Sequence, residues 1–113
     1  MTKNFFYDGI SDSLMISRKQ PEEKVHGSAE VGNLILDFTK DGKIVNVEFQ
    51  HISKFLKMIN VGPDILDELE GAELVVQKQK GAISLFAILK TPTLRQPVPL
   101  AVIPVRQKLV SSV

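Results

Sequence analysis

Five carboxylates, Asp8, Asp12, Asp37, Asp41 and Glu48, recur through the first half of the chain. Converging carboxylates are the ligands that a hard divalent cation takes. The alternation around them argues against convergence: Asp37 opposes the face that carries Leu36 and Phe38, and Asp41 occupies a turn, where aspartate bonds its own backbone. Glu48 and His51 have the Glu-x-x-His spacing of helical di-iron sites. Glu48 reads as strand, however, and His51 as a strand-to-helix junction, and one copy supplies too few ligands. His26 stands alone in a polar segment and reads as a surface residue, while Ser53 reads as a helix cap that accepts free backbone N–H groups. No Gly-x-Ser-x-Gly elbow, P-loop or dinucleotide fingerprint occurs. Cysteine is absent, which excludes disulfides and thiolate chemistry. The expectation is a protein with no catalytic residue, no metal site and no cofactor.

Charge is informative by location. Lysine and arginine number 14 against 13 aspartates and glutamates, a net of +1. All 13 acidic groups lie in residues 1–73, and residues 74–113 hold only cations: Lys78, Lys80, Lys90, Arg95, Arg106 and Lys108. Such asymmetry marks either a surface for an acidic partner or two halves that attract each other. Lys78, Lys80, Arg95 and Arg106 are the candidate phosphate contacts of a salt-sensitive, nonspecific nucleic-acid surface. Stacking of bases would have only Phe86 in that half to work with.

These residues need elements to hold them. At 113 residues the chain fits one domain, taken as 1–113. Phe5 and Tyr7 share one strand face, Leu14 and Ile16 another, Leu34, Leu36 and Phe38 line one face of a third strand, and Val45, Val47 and Phe49 line one face of the strand after it. Asp41-Gly42 between the last two runs is a hairpin signal. The period then changes. Ile52, Phe55, Leu56 and Ile59 fall on one helical face, Gly62 is the expected stop, and Pro63 starts a second helix that runs to Gly71. Leu74–Val76 and Ile83–Leu89 return to strand around a turn at Lys80-Gly81, and a proline-interrupted edge segment follows from Gln96 to Val105. The expected fold is α+β, an antiparallel sheet of about seven or eight strands with a central helical hairpin. Residues 1–55 form the β-meander, and 56–113 supply the helix, the second hairpin and the edge strand.

Tyr7-Asp8, Asp12-Ser-Leu-Met-Ile16, Leu36-Asp-Phe38, Asp41-Gly-Lys-Ile-Val45, Val47-Glu-Phe49 and Ser53 together resemble a widespread family of small prokaryotic proteins. That family is catalogued only as a domain of unknown function. The resemblance covers about residues 4–55 and departs at Ser13, Met15 and Asn46, where alanine, tyrosine and glycine are usual. It supports the strand order of the first half and implies no established activity. An antitoxin-like partnership with a small toxin is the remote reading that it carries.

The segment from Val98 to Val105 holds no charge and is apolar on both faces. An uncharged edge strand is a template for another chain. Val98, Leu100, Val102, Ile103 and Val105 are therefore the expected self-association residues, with a homodimer as the closed solution. The longest uncharged runs fall far short of the ~20 residues that span a bilayer, and Met1–Asp8 lacks the apolar core of a leader peptide. The chain thus reads as a soluble, cytoplasmic, non-enzymatic module that associates with itself, with a nucleic-acid or acidic-ligand binder as the alternative.

Overall fold

The strands that the alternation marks out are present, but they divide between two sheets. The computed structural model describes residues 3–104. Strands β1 (Phe5–Asp8), β2 (Ser13–Ser17), β3 (Gly27–Val31), β4 (Leu34–Phe38) and β5 (Ile44–Gln50) form a five-stranded sheet in the order β1-β2-β5-β4-β3. A short helix, α1 (Ile52–Met58), and a 3-10 helix, Pro63–Glu68, lead into β6 (Gly71–Gln79), β7 (Ala82–Lys90) and β8 (Arg95–Pro104). These last three make a separate sheet in the order β6-β7-β8, and every pairing in both sheets is antiparallel.

The expected α+β class is therefore corrected. Among the described residues the protein is mostly β, with 53% strand and 13% helix, and no helical hairpin is present. Seven residues of α-helix and six of 3-10 helix are too short to form one, and so short a helix is held by tertiary contacts rather than by its own propensity. The helical phase itself holds: Ile52 and Leu56 are fully buried while Lys54 and Lys57 are exposed. Gly62 is not the stop. Asn60 takes the left-handed conformation at φ 61°, its N–H bonds the Lys57 carbonyl at 3.1 Å, and the Val61 N–H bonds the Leu56 carbonyl at 2.8 Å. That pair of bonds is a Schellman termination with asparagine in the usual glycine place.

Leu14, Ile16, Leu34, Leu36, Val47 and Phe49 point inward from the first sheet, and Leu74, Leu85, Ala87, Leu89 and Val98 from the second. Together with Ile52, Leu56, Ile65 and Leu66 they make one contiguous core. Asn4 staples the sheets from the side, its Nδ2 donating to the Ser17 carbonyl at 3.0 Å and to the Ala72 carbonyl at 2.9 Å.

The β4–β5 turn is the one that Asp41-Gly42 announces. Gly42 sits at φ 83°, and its N–H bonds the Thr39 carbonyl at 2.9 Å. A Cβ there would meet nothing within 4 Å, so the cost of a side chain is backbone strain alone. Gly42→Val is expected to lower stability by about 1–3 kcal/mol, read as a shifted denaturation midpoint with an unchanged slope.

Strand β3 is an element that the sequence reading passes over. Its residues, Gly-Ser-Ala-Glu-Val, show no apolar alternation. It is held by what β4 offers: the Phe38 ring lies over Gly27, 3.0 Å from where a Cβ would stand, and the Ser28 hydroxyl donates to Asp37 at 2.6 Å.

Candidate functional site

Among the carboxylates, only Asp12 gathers a cluster. The turn after β1 puts it in the left-handed region at φ 57° and aims its side chain at the first turn of α1. Its Oδ2 accepts from the Ser53 hydroxyl at 2.7 Å, both carboxylate oxygens accept from the Ser53 N–H at 3.2 Å, and Oδ1 accepts from the Tyr7 hydroxyl at 2.8 Å. Its own carbonyl accepts from the Ile52 N–H at 3.1 Å. The cap of α1 is therefore Asp12, reaching from 41 residues away, and not Ser53. Ser53 spends its proton on the carboxylate. His51, also left-handed at φ 58°, makes no side-chain cap bond.

Burial disfavours the Asp12 anion, but hydrogen bonds from Ser53 and Tyr7 outweigh it and hold the carboxyl below the usual aspartate range. Burial, followed by the bond to Asp12, pushes the Tyr7 phenol up to about 12. A hydroxyl that already donates to a carboxylate and a phenol held neutral are the marks of a structural cap, which neutralises part of the helix N-terminus.

The other carboxylates are dispersed. Asp8 accepts from the Ile10 N–H at 3.0 Å, and Asp37 takes Ser28 on one oxygen and the Asn46 amide on the other at 3.0 Å. Asp41 is in the turn, and Glu48 lies on the outer face of the first sheet between Met15 and Ile35. No group of three or more His, Asp or Glu side chains comes together among the described residues.

The candidate phosphate contacts are not brought together either. Lys78 and Lys80 flank the tip of the β6–β7 hairpin, whereas Arg95 begins β8 opposite Lys90 at the far end of that sheet. The span from Ile83, opposite Lys78, to Lys90 is roughly 23 Å at strand spacing. Lys90 is itself tied to Glu73 at 2.8 Å, and Arg106 lies outside the described residues.

The expected self-association strand is partly consumed by the chain's own core. Val98 is 0% exposed and Leu100 8%, Ile103 packs against the core, and Val105 lies outside the described residues. Only Val102, at 67%, is open to solvent. The direction of the backbone groups shows which parts of β8 face outward. Ala72 gives its carbonyl to Asn4, outside the sheet, so by alternation Ala72, Leu74, Val76 and Lys78 turn their backbone groups away from β7. Carried through β7 by the pairs Leu89↔Gln96, Ala87↔Val98, Leu85↔Ala101 and Ile83↔Ile103, the same alternation turns Pro97, Pro99, Val102 and Pro104 outward on β8. Three of these four are prolines, which have no N–H to offer. The β8 edge is closed to strand addition.

Two features of the three-stranded sheet have no covering layer or strand among the described residues. On its outer face Val75, Phe86 and Ile88 are half-buried and stand outside the core cluster, flanked by exposed Pro97, Pro99 and Val102. At its β6 edge the backbone groups of Leu74, Val76 and Lys78 have no partner among the described residues. The outer face of the first sheet is more mixed: exposed Phe6 and Met15 are followed across the strands by Glu48, Ile35 and Glu30. No helix among the described residues is long and apolar enough to cross a membrane.

No curated protein and no solved structure matches the chain. Residues 4–53, which hold the five-stranded sheet and reach Ser53, match the model of a family described as "Protein of unknown function (DUF2283)".

Proposed function

We propose that the chain is a non-catalytic interaction module that associates with a second copy of itself through the three-stranded sheet. The observation that carries this reading is the half-covered state of that sheet. Its inner face supplies Leu74, Leu85, Ala87, Leu89 and Val98 to the core, while Val75, Phe86 and Ile88 on the outer face have no layer over them among the described residues. Covering the apolar patch of that outer face would remove its surface from water and gain free energy. The Tyr7–Asp12–Ser53 cluster, where both Tyr7 and Asp12 have shifted ionisation, is accounted for by capping α1.

Sedimentation at rising micromolar concentrations tests the reading. A two-chain species is expected, and a mass of one chain throughout that range contradicts it.

A further inference from the structure

The outer face of the five-stranded sheet carries a feature that neither the cap of α1 nor self-association uses. A depression of about 420 Å³ opens there over β1, β2, β5 and β4, its lining mostly apolar, with Phe6, Met15 and Ile35 around Glu48. We infer that it binds a small amphipathic amine, an ammonium head on an aromatic or aliphatic body, with Glu48 holding the head. The site lies on the other sheet from the one that self-association uses, so either proposal can fail without the other.

Register builds the site. Phe6 pairs with Met15, Met15 with Glu48 and Glu48 with Ile35, so these four side chains form one row across the sheet. They share the outer face because their chain neighbours Leu14, Ile16, Leu34, Leu36, Val47 and Phe49 are taken into the core. Phe6 is 58% exposed and Met15 44%, whereas Glu48 and Ile35 are half-buried. A carboxylate thus stands in a row whose other members are aromatic, thioether and aliphatic. An apolar depression with a few polar groups is the usual form of a small-molecule site, and such sites measure about 300–1,000 Å³.

Charge decides the sign of the ligand. The Glu48 carboxylate makes no hydrogen bond and no ion pair among the described residues, where the ion pairs are Lys43–Glu23 and Lys90–Glu73. Asp37, in the adjoining row, has both oxygens engaged, by the Ser28 hydroxyl at 2.6 Å and the Asn46 amide at 3.0 Å. It supplies negative potential and a fixed polar wall, and Glu48 is left as the unengaged carboxylate. Lys3 is the one cation in the lining, at the β1 rim with its Nζ 5.6 Å from the Phe5 ring centre. That rim lies two strand spacings, roughly 10 Å, from the strand that carries Glu48.

An anion would meet Glu48 and Asp37 together. A hard metal ion takes about six to eight oxygens, more than one unengaged carboxylate supplies. An ammonium needs a single carboxylate, and the aromatic face of Phe6 also attracts a cation. Phe6, Met15 and Ile35 then receive the apolar body that such a head carries.

Tryptamine, its neutral analogue tryptophol and the anion indole-3-acetate test the proposal on the full chain. The chain has no tryptophan, so indole resonances in a ligand-observed NMR titration belong to the probe. Tryptamine is expected to bind saturably and about two- to fivefold more tightly than tryptophol, the gain of one exposed ion pair, with indole-3-acetate weakest. Glu48→Gln keeps the size of the side chain and removes its charge. It is expected to bring tryptamine to the level of tryptophol and to leave tryptophol unchanged. Met15→Ala is expected to weaken both probes alike, with Phe6→Ala in its place if that variant does not fold. Equal binding of amine and alcohol, or an amine preference that survives Glu48→Gln, overturns the proposal. A Glu48→Gln change that alters the sedimentation of the chain without a probe makes this face a protein contact and overturns it as well.

Discussion

Asp12→Ala is expected to destabilise the protein by about 3 kcal/mol. Three contributions act together. A lost N-cap costs about 0.5–2 kcal/mol, hydrogen bonds to a charged acceptor are worth about 1.5–3 kcal/mol, and alanine does not share aspartate's tolerance of φ 57°. Removing the carboxylate leaves the Tyr7 hydroxyl, the Ser53 hydroxyl and the Ser53 N–H without the acceptor that they share. Asp12→Asn keeps a left-handed-tolerant residue and one carbonyl oxygen, and about half the loss is expected.

The pH dependence fixes the sign. The folded state holds the Asp12 pKa below its unfolded value, so the contribution is fully present above the unfolded aspartate pKa of about 3.9 and disappears as pH falls through the lower folded value. The stability gap between the parent and Asp12→Asn should therefore close on acidification below about pH 4. Chemical denaturation at pH 7 and at pH 3 measures it. A gap that widens in acid contradicts the capping role.

Leu56→Ala is expected to be at least as costly, at about 3–5 kcal/mol. Leu56 is 0% exposed, its carbonyl closes the Schellman turn, and its side chain lies in the core that both sheets share. Lys57, one residue on, points to solvent, and Lys57→Ala should cost less than about 0.5 kcal/mol. Phe55 is intermediate, partly exposed and tilted against Phe49 at 4.8 Å between ring centres. Equal costs at Leu56 and Lys57 would contradict the placement of α1.

Local chemistry was legible in the sequence. Asp41-Gly42 and Lys80-Gly81 announce turns because only glycine takes their positive φ without strain, and both glycines have it. The Ile52–Leu56 spacing announces a helix face because burial follows a period of 3.6. What depends on distant partners was not legible. The length of β6 is hidden because Glu73, Gln77, Lys78 and Gln79 break its apolar run, and it is β7 pairing that extends the strand to Gly71–Gln79. The division into two sheets is invisible to periodicity, since alternation marks a strand and not its neighbour. Strand β3 has no pattern to read, and Ser53 passes for a cap until Asp12 is seen beside it.

The candidate site shows the same limit. The prolines of β8 are plain in the sequence, and they mark it as an edge. Which backbone groups they remove is decided by register, and register is not legible in the sequence. The apolar segment that reads as an exposed template has Val98 and Leu100 in the core and an outward edge of Pro97, Pro99 and Pro104. The open edge belongs to β6, whose polar residues conceal it.

The most direct test of the account is the mass of the full chain in solution, taken by sedimentation equilibrium from about 1 to 100 μM, a range that brackets ordinary self-association affinities. Self-association through the three-stranded sheet predicts twice the chain mass at the upper end, with a concentration dependence that fits a single monomer–dimer equilibrium. A single-chain mass at every concentration contradicts it.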